Sequence, residues 1–68
     1  MGPLPTEVRI DYTNHRGQRT ERRIVPDHVE WAEVEWHPGA QWLLIAYDLD
    51  RAAYRTFAMK DIHRWEPA

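Results

Sequence analysis

Sixty-eight residues without a cysteine make one small domain that has neither disulfides nor thiolate chemistry to draw on, as expected of a reducing, cytoplasmic setting. Eleven acids against nine bases leave a net charge of −2, which disfavours a non-specific nucleic-acid binder, because backbone affinity needs a concentrated positive footprint. The longest apolar run, Trp42 to Tyr47, is too short to span a bilayer, and the N-terminus lacks the basic-then-apolar pattern of a signal peptide.

Residues 1–6 are expected to form a flexible N-terminus, residues 7–65 the single domain and residues 66–68 a C-terminal tail. Glu7 to Thr13 alternates, with Val8, Ile10 and Tyr12 on one face and Arg9, Asp11 and Thr13 on the other, which predicts a half-buried strand. Asn14 to Gln18 supplies a turn in which Asn14 and Gly17 are able to take positive φ. Arg19 to Val25 predicts the partner strand, with Thr20, Arg22 and Ile24 sharing one face, and Pro26-Asp27 is expected to end it. His28 to Trp36 predicts a further strand. Val29 and Trp31 follow one phase and Ala32, Val34 and Trp36 the other, so a bulge near Trp31-Ala32 is expected to turn both sets to one buried face. His37-Pro38-Gly39-Ala40 reads as a turn. Trp42 to Leu49, apolar on both faces, predicts a central covered strand. Asp50 to Ala53 turns the chain, Tyr54 to Met59 forms another strand, and Lys60 to Trp65 is either a helical turn or a final edge strand.

These elements predict an all-β fold, a five-stranded strongly bent sheet or a partly open SH3/Sm-like barrel. Closure would remove the exposed edges of a flat sheet. Charge is segregated along the chain: residues 1–25 carry +2, residues 26–50 carry −6 with no lysine or arginine, and residues 51–68 carry +2.

With the strands placed, Ile10-x-Tyr12, Gly17, Thr20-x-Arg22-x-Ile24-x-Pro26, the run Trp42 to Asp48 and Arg55-x-Phe57 resemble the WYL domain over about residues 8 to 62. The resemblance implies an Sm-like, SH3-type barrel and a ligand-sensing role, often attached to a helix-turn-helix in bacterial regulators; some members bind nucleic acid. The name-giving Trp-Tyr-Leu triplet reads Trp42-Leu43-Leu44 here, and the family's last basic residue is replaced around Lys60-Asp61-Ile62. The chain is also similar to small free-standing proteobacterial and phage proteins that share Glu35-Trp36-His37-Pro38 and Gln41 to Leu44. With no DNA-binding domain expected ahead of the barrel, the resemblance carries ligand binding rather than a whole regulator.

Arg22 and Arg55 are the leading candidate ligand-binding residues. Both share a strand face with apolar residues, so both are expected at the rim of the interior, where two guanidinium forks would clamp a phosphate or carboxylate. The alternative is that they pair with Asp48, Asp50 or Glu21 and only lace strands together. Tyr12, Trp42 and Tyr47 are candidate stacking aromatics; for Trp36 and Trp42, core filling is the stronger expectation. The four histidines lack the spacing of a metal site, and no cofactor is expected. The chain has no serine, and the neighbouring carboxylates Asp48 and Asp50 suit a turn better than acid–base chemistry, so catalysis is not expected. Two functions follow. The first is a module binding a phosphate-bearing ligand, single-stranded nucleic acid included. The second is a protein adaptor or homo-oligomer subunit using a sheet edge and its aromatic surface. Neither needs a membrane.

Overall fold

Alternation decides the first strand. In the computed structural model, which describes residues 6–35 and 37–67 (of His37 the backbone only), β1 runs Val8–Thr13 and buries Val8, Ile10 and Tyr12. Branched and aromatic side chains at every second position fit a pleat with one dry face. The following turn is organised by Asn14, whose side-chain oxygen accepts from the backbone N–H of Arg16 and of Gln18, each at 3.0 Å. Gly17 takes a φ of +79°, which a side chain would resist. Asn14 has no positive φ and contributes through its side chain instead.

β2, Arg19–Val34, is far longer than expected. Its first part pairs with β1 as far as Ile24↔Val8, and from Ile24↔Asp48 onward it pairs with β3, His37–Asp48. Pro26-Asp27 therefore does not end the strand. Pro26 lies beyond the end of β1, where one side of the ladder makes no demand on its missing N–H. Asp27 is an extra residue, and the register shifts between Pro26 and His28. The register shifts again between Ala32 and Val34, beside the expected bulge, but Val29 and Trp31 are not buried by it: they stay 51% and 60% exposed. His37-Pro38-Gly39-Ala40 opens β3 rather than forming the turn; the chain reverses at Glu35 beside Trp36, which lies outside the described residues. Gly39, with a φ of +83°, accommodates the irregular register there.

β4, Ala53–Ala58, pairs with β3 from Asp48↔Ala53 to Leu43↔Ala58. A 3-10 turn, Met59–Asp61, leads to β5, Ile62–Pro67, so both expected readings of this segment contribute, and the strand runs past the Trp65 boundary. The strand order is β4-β3-β2-β1-β5, antiparallel throughout, and the sheet is not closed into a barrel. It is nevertheless forced to curl. Its two edge strands would lie about 19 Å apart in a flat sheet, while the chain from Ala58 to Ile62 reaches at most about 14 Å.

The curl encloses Val8, Ile10, Tyr12, Ile24, Leu44, Ala46 and Phe57, with Ile62 packed against them. Tyr12 and Phe57 meet edge to face at 4.9 Å. Ile24, fully buried, is the pivot, because it pairs with β1 on one side and β3 on the other. Beyond the reach of β4, the segments Trp31–Val34 and His37–Trp42 continue as a two-stranded arm. Trp42 belongs to this arm and is 54% exposed, which corrects its expected place in the core.

Shortening Ile24 to valine is expected to cost about 0.5–1.5 kcal/mol in urea unfolding. Val29→Ala on the exposed arm is expected to stay within about 0.5 kcal/mol. Equal costs for the two would show that the arm is packed as tightly as the core.

Candidate functional site: an arginine-lined cleft at the open end of the sheet

The period of two along β3 sends Leu44, Ala46 and Asp48 to the core face, and Asp48 is fully buried at its end. One carboxylate oxygen, Oδ1, accepts from the backbone N–H of Asp50 at 2.9 Å and of Arg51 at 3.1 Å, which closes the turn into β4. The other, Oδ2, faces Nε of Arg22 at 3.7 Å. Ala52 completes the reversal with a φ of +52°.

A second set of contacts fixes this turn against β2. The Leu49 N–H donates to the Arg23 carbonyl at 3.0 Å, and Asp50 accepts from both the backbone N–H and the guanidinium of Arg23, at 3.3 and 3.2 Å. Those bonds, the backbone one first, hold the Asp50 carboxyl below its ordinary value of 3.8. Asp11 is likewise lowered, chiefly by the hydrogen bonds from Arg19 at 2.9 and 3.0 Å. The turn from β3 to β4 thus lies beside the first half of β2, and both face the turn from β1 to β2.

Between them is a cleft of about 370 Å³ lined by Arg16, Arg22, Arg51 and Arg55, with Tyr12 and Thr20 among its other walls. No aspartate or glutamate lines it. An adjoining hollow of about 240 Å³ shares Tyr12, Asn14, His15 and Arg55 with the cleft and adds Tyr54 and Asp61. Among the described residues, the side chains of Arg16, Arg51 and Arg55 have no hydrogen bond or ion pair. Buried Thr20 Oγ1, Arg22 Nε and Asp48 Oδ2 have no hydrogen-bond partner there either.

Arg22 and Arg55 therefore do converge. Arg22 also fulfils the alternative, since its guanidinium stands against Asp48 while lining the cleft. Tyr12 joins them as a wall, mostly occupied by its contact with Phe57. Tyr47 and Trp42 do not join them. Tyr47 lies on the opposite face of β3, edge to face with Tyr54 at 5.3 Å, and Trp42 sits on the arm against Trp31. Arg16 and Arg51 were not among the candidates. Each follows a turn-closing Asn14 or Asp48 by two or three residues, a signal that marks a turn but not where that turn docks.

A curled five-stranded antiparallel domain whose open end gathers arginines is the class this fold and cleft define. The family model described as WYL domain matches residues 6–67, and the chain belongs to that family, over a longer span than the sequence resemblance covered. Its fold is similar to part of proteasome accessory factor B/C (PafBC) of Arthrobacter aurescens, with a TM-score of 0.70 and 23% identity. That likeness covers 93% of this chain and 9% of the other, so the chain spans about a tenth of that protein. At this identity the likeness concerns the fold. No curated protein matches.

Removing the Asp48 carboxylate strands Arg22 and opens the turn, so Asp48→Ala is expected to cost about 3–5 kcal/mol by urea unfolding. Asp48→Asn, which keeps an acceptor for the turn, should cost less. Asp11 and Asp50, both lowered in the fold, contribute stability above 3.8 that is lost as pH falls through their lowered values. Unfolding midpoints from about pH 5 to about pH 2 should fall less steeply in Asp50→Asn than in the parent. Parallel slopes would sink that assignment.

Proposed function

We propose that this chain is a non-enzymatic ligand-binding module that takes a phosphate-bearing ligand in the arginine cleft, with single-stranded nucleic acid as the polymeric member of that class. The observation that carries the reading is the convergence of Arg16, Arg22, Arg51 and Arg55 on one acid-free cleft. Four planar forks in one concavity repel one another until an anion with several acceptor oxygens sits between them. Arg51 and Arg55, without protein partners among the described residues, are the forks most available to it.

The adjoining hollow extends the site along β4, past Arg55 to Phe57. Of the three aromatics that the sequence reading put forward for stacking, Tyr12 is the one that lines the cleft. Family membership supports a ligand-sensing role in regulation. The non-enzymatic reading is supported by the duties of the two neighbouring carboxylates: Asp48 closes a turn and faces Arg22, while Asp50 binds Arg23. No helix among the described residues is long and apolar enough to cross a membrane.

A labelled oligothymidylate titrated at low salt and followed by anisotropy tests the proposal. Binding is expected to weaken with salt with a log–log slope of about −2 to −3, for three or four phosphate contacts on a single strand. Arg51→Ala combined with Arg55→Ala is expected to lower affinity by about ten-fold or more, since each removes a charge-assisted hydrogen bond. Affinity that is indifferent to salt, or unchanged in the double variant, would refute it. Competition by free pyrophosphate would separate a small anion site from a strand-binding one.

A further inference from the structure

The cleft leaves the most exposed apolar surface of the molecule unexplained. Val29, Trp31, Trp42 and Met59 are 51%, 60%, 54% and 38% exposed. They are contiguous: Val29, Trp42 and Met59 line one hollow of about 260 Å³, and Trp31, Trp42, Met59 and Lys60 line another of about 270 Å³. The two indole rings meet edge to face at 5.4 Å. Val29 pairs with Leu44 and Trp31 with Trp42, so the patch continues the face of the sheet that is buried further in, at the point where cover runs out. A surface of this kind on a small domain marks an interaction site.

The charge around it selects the partner. No lysine or arginine occurs from residue 26 to residue 50, and Asp27, Glu30, Glu33 and Glu35 lie along the second half of β2 and the turn after it. Glu30, between Val29 and Trp31 in the strand, points to the other face but stays within the screening length of about 8 Å at physiological salt. Even counting Lys60 at the patch and His28, hydrogen-bonded to Asp27 at 2.6 Å and to Glu30 at 2.7 Å, these four acids leave the surroundings net negative. Nucleic acid and anionic membranes are repelled by such a field. A second copy of the chain would bring like charges together. Addition of a strand to the free edge of β2 is discouraged by Pro26, the Asp27 bulge and the acids, which are common guards of an exposed edge.

We propose that this patch docks a basic amphipathic segment of another protein. Its apolar side chains would cover Val29 and Met59, and its lysines or arginines would lie against the Trp31 and Trp42 rings, drawn by the negative field of the acids along β2. The proposal is independent of the arginine cleft, which lies at the other end of the sheet.

The test uses the full chain with a synthetic peptide of alternating lysine and leucine, followed by tryptophan emission and calorimetry. Binding is expected, and is expected to weaken about ten-fold in Trp31→Ala plus Trp42→Ala and again in Glu30→Lys plus Glu33→Lys. Arg51→Ala plus Arg55→Ala should leave it unchanged, and far-ultraviolet circular dichroism of the arm variants reports that they remain folded. Three results would overturn the proposal. One is unaltered peptide binding by either arm variant. Another is equal affinity for a lysine-only peptide, which would mean charge alone. The third is a concentration-dependent dimer in sedimentation that the paired tryptophan variant abolishes, which would make a second copy the occupant.

Discussion

A single buried carboxylate, Asp48, ties the fold to the cleft. A charge taken out of water is costly unless it is paired and hydrogen-bonded. Asp48 meets that demand with two backbone N–H groups from one turn and the guanidinium of Arg22 from another strand. Those partners are also the parts of the site. The same contacts that make the buried charge tolerable set the turn from β3 to β4 in place, put Arg51 on it, and hold Arg22 toward the open end of the curled sheet. At 3.7 Å the Arg22 contact is longer than a hydrogen bond, so the guanidinium is oriented by Asp48 without being fully consumed by it.

The curl of the sheet follows from a short link. Three residues join the two edge strands, and that distance is too small for a flat arrangement. Curling brings Phe57 of β4 against Tyr12 of β1 and gives this chain one continuous core without disulfides. It also separates charge in space. Four arginines from the two basic ends gather at the mouth of the sheet, while Asp27, Glu30, Glu33 and Glu35 lie toward the arm, and the molecule extends 42 Å along its longest axis against 23 and 20 Å. A net charge of −2 therefore describes neither surface. Each is governed by its local field.

Much of the fold was legible. Val8, Ile10 and Tyr12 declared their buried face by alternation, Gly17 marked its turn, and the face shared by Thr20, Arg22 and Ile24 was assigned correctly because a period of two admits no other arrangement once one residue is placed. What misled was punctuation. Pro26 and Pro38-Gly39 have the chemistry of chain breaks, yet both sit within strands, since a missing donor or a left-handed residue is harmless where one side of the ladder is empty or its register is irregular. Trp42 misled for a related reason: a large apolar side chain predicts burial only if some element covers it, and β4 ends its pairing at Leu43.

The sequence by itself determined that the chain folds as short antiparallel strands, which face of β1 and of the first half of β2 is buried, and which family the pattern resembles. These are local properties, set by side-chain period and type within a few residues. Tertiary structure alone decided that Arg16, Arg22, Arg51 and Arg55 share one cleft, that Tyr47 lies on the opposite face from it, and that Trp31 and Trp42 stay exposed. Those facts depend on the register of β2 against two different neighbours and on where the turn from β3 to β4 docks. Both are settled by contacts between residues far apart in the chain, above all Asp48 with Arg22 and Asp50 with Arg23.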